Sequence, residues 1–327
     1  MKILLTGGAG YIGSHVLLSI LKDNHDVYVI DNLSTGNKKL IPKNIKFINC
    51  NINDEIVLSN FLNKENFDIL LHFAGYIKVE ESVKNPEKYF ANNTDNAIKL
   101  FEICHKNGLN NIIFSSTAAA YGNPTNNDSI KEDENLKPLN PYGQSKVNTE
   151  NFLIKNKDRF NSIILRYFNV AGADPDLRSG LISDEPTHLI KILSEVAVGK
   201  REKIFIFGND YKTKDGTAIR DYIHVSDLAD IHLEVSKHLV SFKKSEIFNC
   251  GYGRGYSVLE VINAANKITG NKIKFEYAPR RPGDAEKLIS NVNKLNRYIN
   301  WKPRFDDLDY IIKTAISWEK KIYEKNF

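Results

Sequence analysis

The chain reads as an α/β protein, a Rossmann-type doubly wound parallel sheet with a smaller C-terminal α/β substrate lobe, and three observations predict it. Short apolar runs alternate with longer amphipathic segments, the rhythm of strands joined by crossover helices. The runs lack polar alternation, as do strands covered by helices on both faces. A glycine triplet, Gly7, Gly10 and Gly13, follows the first run directly.

The first strand, expected over residues 3–5, runs into Thr6-Gly7-Gly8-Ala9-Gly10-Tyr11-Ile12-Gly13-Ser14-His15. Such glycines let backbone approach a pyrophosphate closely and open a helix whose N-terminus faces it. The second strand, over 27–30, ends at Asp31, eighteen residues beyond Gly13. A carboxylate there accepts hydrogen bonds from ribose hydroxyls and repels a 2'-phosphate, favouring NAD over NADP. Strands over 45–48, 69–73 and 112–114 are followed by Asn51-Ile52, Phe73-Ala74-Gly75 and Ser115-Ser116-Thr117. Ligands of open sheets gather at such carboxyl ends. His72, inside the fourth strand, reads as a hydrogen-bonded core histidine. The sixth strand is expected over 163–165. From Gly172 to Pro186 the chain is rich in Gly, Pro, Asp and Ser and reads as loop. Beyond it, helices are expected over 257–269 and 306–323, with short strands over 204–207, 247–249 and 273–275.

At 327 residues the chain exceeds what one core of roughly 250 to 300 residues holds. Residues 1–171 form the expected dinucleotide-binding domain, to which later segments return, and 172–327 the second lobe. The net charge of +5 is small against 45 basic and 40 acidic residues, so nucleic acid is not an expected partner. Three scattered cysteines, Cys50, Cys104 and Cys250, lack metal or redox spacing, and no metal is expected. The N-terminal apolar run is too short for a signal peptide, and no stretch reaches the roughly 20 apolar residues that cross a bilayer. A soluble, cytoplasmic protein is expected.

Tyr142 and Lys146 stand at i and i+4 in Pro141-Tyr142-Gly143-Gln144-Ser145-Lys146, on one helical face. Acting as a base near pH 7, a tyrosine must lose about three units from its ordinary pKa. An opposite charge nearby lowers an acid by roughly one to three units, so Lys146 and an oxidised nicotinamide can together achieve it. Thr117 adds a hydroxyl able to pass a proton or orient a substrate oxygen. In isolation the pair would mean a solvated lysine at a helix start; after the glycine fingerprint it points to nicotinamide chemistry.

These motifs, with His72-Phe73-Ala74-Gly75 and Arg166-Tyr167-Phe168-Asn169, resemble the extended short-chain dehydrogenase/reductase superfamily. Phe207-Gly208-Asn209-Asp210-Tyr211, Asp215-Gly216-Thr217, Arg220-Asp221-Tyr222-Ile223-His224-Val225 and Ala278-Pro279-Arg280-Arg281-Pro282-Gly283-Asp284 narrow the resemblance to its UDP-hexose 4-epimerases, over nearly the whole chain. The resemblance implies one retained NAD and inversion at C4 of the sugar through a 4-keto intermediate. By it, Tyr142 is the base, Lys146 its support and Thr117 the hydroxyl. It implies NAD contacts from Gly7, Gly10, Tyr11, Ile12, Gly13, Asp31, Asn32, Leu33, Ser34, Thr35, Gly36, Asn51, Ile52, Phe73, Ala74, Gly75, Tyr76, Ile77, Asn92, Ser115 and Phe168. A UDP-sugar would meet Asn169, His188, Leu189, Phe205, Ile206, Phe207, Arg220, Arg281 to Asp284 and Leu288, besides Thr117 and Tyr142. The second lobe is then mainly the UDP-sugar-binding one. A homodimer is implied through helices near 92–105 and 145–157.

Departures from the pattern have consequences. Asn51 replaces an aspartate, and Ile77 stands where some relatives carry a lysine, with Lys78 following. Leu288 stands where strict glucose/galactose enzymes carry a tyrosine, leaving room for a 2-N-acetyl group. Arg220 and Arg281 offer planar forks suited to a diphosphate, whereas Arg280 can point to solvent. Ala118-Ala119 after Thr117 cannot transfer protons, which disfavours a dehydratase. A net nucleotide-sugar oxidoreductase stays open on the fold alone. A non-catalytic NAD-binding protein would be expected to lack Tyr142 or Lys146.

Overall fold

In the computed structural model, which describes residues 1–124, 129–281 and 284–324, seven strands form one parallel sheet. They are β1 (Lys2–Thr6), β2 (Asp26–Ile30), β3 (Lys46–Ile48), β4 (Ile69–His72), β5 (Asn111–Thr117), β6 (Asn161–Tyr167) and β7 (Glu246–Cys250). Their order is β7-β6-β5-β4-β1-β2-β3, so the chain winds outward twice from β1. The lack of polar alternation has its cause in the two faces. Ile3 and Leu5 of β1 point into one core with Val16, Leu17 and Ile20 of the helix Tyr11–Lys22 and Leu228, Ile231 and Val235 of the helix Val225–Phe242. Leu4 points into the other, with Leu58, Leu100, Phe101 and Leu153 of three further helices. Each face therefore needs apolar side chains.

The strand expected near 247–249 is β7, which pairs in parallel with β6 and closes the far edge of the main sheet. The strand expected at 273–275 forms instead at Phe275–Ala278, beside Ile204–Phe207. The helix Val258–Thr269 ends at Gly270 in the left-handed region, φ 68°, and the Ile273 amide donates to Asn266 Oδ1 at 2.6 Å. Those residues close the helix end and leave pairing to begin further on. Ser257 and Glu260 form a capping box at the start of the same helix.

The smaller lobe has its own core, built from Ile190, Leu193, Ile204, Ile206, Val261, Ile262, Ile311 and Ile312. Short strands join it to the main sheet. Asn169–Ala171 pairs with Tyr222–His224, and Ile219–Arg220 lies between Tyr256–Ser257 and Lys287–Leu288. No helix among the described residues is long and apolar enough to cross a membrane.

Candidate active site

The glycine triplet divides its work between packing and access. Gly7 has φ 74°, and a Cβ there would stand 2.5 Å from the Ala74 amide nitrogen. At Gly13 a Cβ would stand 2.2 Å from the Gly7 carbonyl oxygen. Neither position admits a side chain. Gly10 differs, since its Cβ would meet only the Gly7 oxygen, at 3.2 Å, and it caps the helix Tyr11–Lys22 with no side-chain bond. The first-turn amides are thus left for an anion, and the dipole favours one. These residues fit the pyrophosphate of a dinucleotide.

Around this cradle the loops after the strands are held by side chains. Asp31 is buried, and its carboxylate accepts the Ala9 amide at 2.9 Å and the Leu33 amide at 2.8 Å. Burial nevertheless pushes its pKa up, against those hydrogen bonds. Leu33 sits at φ 60°, and a Cβ on Gly36 would lie 2.9 Å from Asp31 Oδ1, so the segment curls tightly over the carboxylate. Ser34 and Thr35 are exposed on it. Asn32 Nδ2 donates to Asn51 Oδ1 at 2.8 Å, which brings the ends of β2 and β3 together, while Ile52 is buried beneath. Phe73, Ala74 and Gly75 leave β4 half-buried. Asn92 Nδ2 donates to Asn93 Oδ1 at 3.0 Å. Ile77 is 51 % exposed, and Lys78 Nζ donates to Glu185 Oε2 at 2.7 Å, so Lys78 is already occupied by a carboxylate. His72 is a core histidine, its Nδ1 2.7 Å from Thr6 Oγ1 and its pKa lowered by burial to about 3.

Tyr142 and Lys146 project from the first turns of the helix Pro141–Lys155, started by Asn140, whose side chain accepts the Gly143 amide, and by Pro141. Lys146 is buried, and its Nζ donates to the Ser115 carbonyl at 2.9 Å and lies 5.0 Å from the Phe114 ring centre. Burial lowers its pKa to about 8, with Glu150, one turn on, acting in the opposite sense. The pKa of Tyr142 is raised, first by burial, and the group that opposes the rise is Thr117, through a side-chain hydrogen bond. The Lys146 ammonium is thus engaged at the end of β5. Thr117 also accepts the Ala119 amide at 3.1 Å.

Beneath these groups lies a network that sequence reasoning missed. Arg166 and Glu150 are buried and paired at 2.6 Å; Glu150 also accepts the Ser116 hydroxyl, and Arg166 Nη1 donates to Tyr121 Oη at 2.9 Å. A buried pair satisfied this fully costs much when one partner is removed. Arg166 entered only as part of a motif, and nothing in local spacing marks Glu150 as its partner.

On the other side stand the lobe residues. Asn169 and His188, with Leu189, line a small cavity with Tyr11, Tyr222 and Trp318. Phe205 is 48 % exposed and Phe207 half-buried, whereas Ile206 turns its side chain into the lobe core at 1 % exposure. Strand alternation leaves the backbone of Ile206 as the part able to face a ligand. Arg220 Nη2 lies 3.8 Å from Asp284 Oδ1 with its side chain 13 % exposed. Arg281 stacks 3.8 Å from the Phe207 ring centre, its Nε 3.4 Å from Glu80 Oε1. Arg280 donates to Asp210 Oδ1 at 2.6 Å. Leu288 packs against the cluster of Ala118, Tyr121, Ile130 and Phe168. Pro282 and Gly283 lie outside the described residues.

A parallel doubly wound sheet with a glycine cradle and a Tyr-Lys pair at its carboxyl ends defines a dinucleotide-dependent enzyme class. The model of the NAD dependent epimerase/dehydratase family matches residues 3–251, and the chain belongs to that family. It is 43 % identical over 326 residues, 98 % of this chain and 92 % of the relative, to a UDP-glucose 4-epimerase of Azospirillum brasilense. Among solved structures, the UDP-Glc/GlcNAc 4-epimerase of Campylobacter jejuni is 47 % identical with a TM-score of 0.85, covering 98 % of this chain and 99 % of that one. A UDP-glucose-4-epimerase of Stenotrophomonas maltophila, with bound NAD and formylated UDP-arabinopyranose, has a TM-score of 0.96 at 32 % identity, covering 99 % of each chain.

Proposed function

We propose that the protein is an NAD-dependent UDP-hexose 4-epimerase that interconverts UDP-glucose and UDP-galactose, and their 2-acetamido counterparts as well. The observation that carries the reading is the convergence of Tyr142 and Thr117 at the end of β5, beside the glycine cradle, with Ala118-Ala119 following. The site holds a base and a relay, and alanine stands where a dehydratase needs an added acid and base. The names of relatives at 43 and 47 % identity support the same reaction.

Bound NAD would supply the hydride acceptor and donor for C4 of the sugar. Gly7, Gly10 and Gly13 receive the pyrophosphate, and Asp31 the adenosine ribose. Tyr142 Oη takes the proton of the 4-hydroxyl, directly or through Thr117 Oγ1, and later gives it back. Lys146, one turn on from Tyr142 and fixed on the Ser115 carbonyl, supports that base from the same helix face. Arg220 and Arg281 hold the diphosphate, so the sugar turns within the site while its nucleotide stays fixed. Leu288 is smaller than tyrosine and leaves space next to the sugar ring for an acetamido group.

In this reading residues 1–171, joined by later segments, bind NAD, and 172–327 mainly bind the UDP-sugar. The protein acts in the cytoplasm as a homodimer through helices near 92–105 and 145–157. Proton NMR of the purified protein with UDP-galactose and UDP-N-acetylgalactosamine, without added cofactor, tests the reaction: both gluco anomeric signals should appear. No conversion of either, even with NAD added, sinks the epimerase and favours a net oxidoreductase. Tyr142→Phe should abolish turnover with NAD retained; full activity would remove Tyr142 from the mechanism.

A further inference from the structure

Asp221 has no part in the chemistry above, yet its side chain is fully buried and heavily engaged. Oδ1 accepts the Tyr252 amide at 2.9 Å. Oδ2 accepts the amides of Gly253 at 3.0 Å and Ser290 at 3.1 Å, and the Ser290 hydroxyl as well. Its backbone is used twice more, the amide donating to the Leu288 carbonyl at 3.0 Å and the carbonyl accepting the Asn169 amide at 2.9 Å. Gly251 approaches so closely that a Cβ there would lie 2.5 Å from Oδ2. Chain segments distant in sequence thus meet on one residue.

A buried carboxylate is costly unless its lone pairs are filled. Ionised, it is an acceptor only, able to take several donors at once from different directions. That suits a junction whose strands are too short to lock themselves. Ile219–Arg220 and Lys287–Leu288 are two residues each, with Arg220 opposite Leu288 in register. Two ladder positions specify register weakly. The carboxylate, tied to Ser290 just beyond Leu288, supplies the missing constraint.

We propose that Asp221 is a positioning residue for sugar-nucleotide recognition: it fixes the spacing among Arg220, Asn169 and Leu288, and through it both UDP affinity and the choice between plain and 2-acetamido sugars. This rests on the epimerase reading for the roles of those three residues. Arg220 adjoins Asp221 in sequence, Asn169 hangs on its carbonyl and Leu288 on its amide. A shift of the carboxylate moves all three together.

The test uses the full-length protein with its retained cofactor, comparing the parent with Asp221→Asn and Ser290→Ala. Asparagine turns an NH₂ toward the amides it must accept, and alanine removes one donor. UDP binding is read by calorimetry, NAD content by absorbance after denaturation, and kcat and KM with UDP-galactose and UDP-N-acetylgalactosamine. Folded Asp221→Asn should bind UDP about tenfold more weakly, with KM raised alike, kcat within about twofold and NAD content unchanged. The ratio of kcat/KM for the two sugars should also move. Parent-like UDP affinity in a folded variant, or a fall in kcat with KM unchanged, overturns the proposal. Should Asp221→Asn fail to fold, Ser290→Ala decides, with a roughly threefold loss of UDP affinity expected and parental affinity overturning it. A parent that binds UDP but epimerises neither sugar refutes the reaction while UDP affinity still judges Asp221; a parent that does not bind UDP refutes both.

Discussion

Asn93 and Tyr76 grip each other at both ends of one amide: Asn93 Oδ1 accepts the Tyr76 N–H at 2.9 Å, and Asn93 Nδ2 donates to the Tyr76 carbonyl at 2.9 Å. The same Nδ2 reaches Ser145 Oγ at 3.2 Å, next to Lys146. One buried side chain thus ties the loop after β4 to the helix that carries Tyr142.

Asn93→Leu leaves the Tyr76 backbone groups without partners. A buried polar group left unpaired costs about 1–3 kcal/mol. Urea denaturation should report a loss of that size, and the variant should release its cofactor faster on dilution.

Four histidines in the core are held neutral by burial. Their pKa values fall to about 4 for His15 and His232 and to about 3 for His72 and His224. The unfolded chain takes up protons near 6.5, so between about pH 6.5 and pH 4 it binds more than the folded chain. Stability then rises with pH across that window and is lost as pH falls. Urea midpoints should drop steeply from about pH 7 to about pH 5, and His232→Gln should drop less. Equal slopes would show that His232 does not contribute.

Leu288→Tyr fills the space beside Ala118 and Phe168. Discrimination by pocket size is typically worth roughly 10- to 200-fold. The variant should lose about that much kcat/KM on UDP-N-acetylgalactosamine and stay within about threefold on UDP-galactose. If N-acetylated turnover survives, the gate is elsewhere.

The three arginines should separate cleanly. Charged hydrogen bonds are worth about 1.5–3 kcal/mol, so Arg220→Ala and Arg281→Ala should each weaken UDP binding roughly 10- to 100-fold by calorimetry. Arg280 is bound to Asp210 and stacked 3.9 Å from the Tyr211 ring centre, so Arg280→Ala should change affinity less than about threefold.

Much of this was legible in the chain because it is local. Gly7, Gly10 and Gly13 follow a strand and open a helix, and Tyr142 and Lys146 share a face by helical spacing alone. Every strand of the main sheet could be read within a few residues from its apolar run. What stayed hidden is set by partners far away in sequence. Asn93 looks like an ordinary polar helix residue until Tyr76 is folded against it, and Glu150 becomes meaningful only beside Arg166. The electrostatics of the Tyr-Lys pair also depended on depth, since burial moves both groups against the direction simple charge pairing suggests.

That β7 comes from residues 246–250 has a consequence for how the protein is made. A nascent chain that has emerged only as far as β6 presents that strand's outer edge bare, with unpaired amides and carbonyls ready to join another chain. The sheet is complete only after Cys250 has left the ribosome. Truncation anywhere before that point should yield aggregates rather than a free-standing nucleotide-binding half.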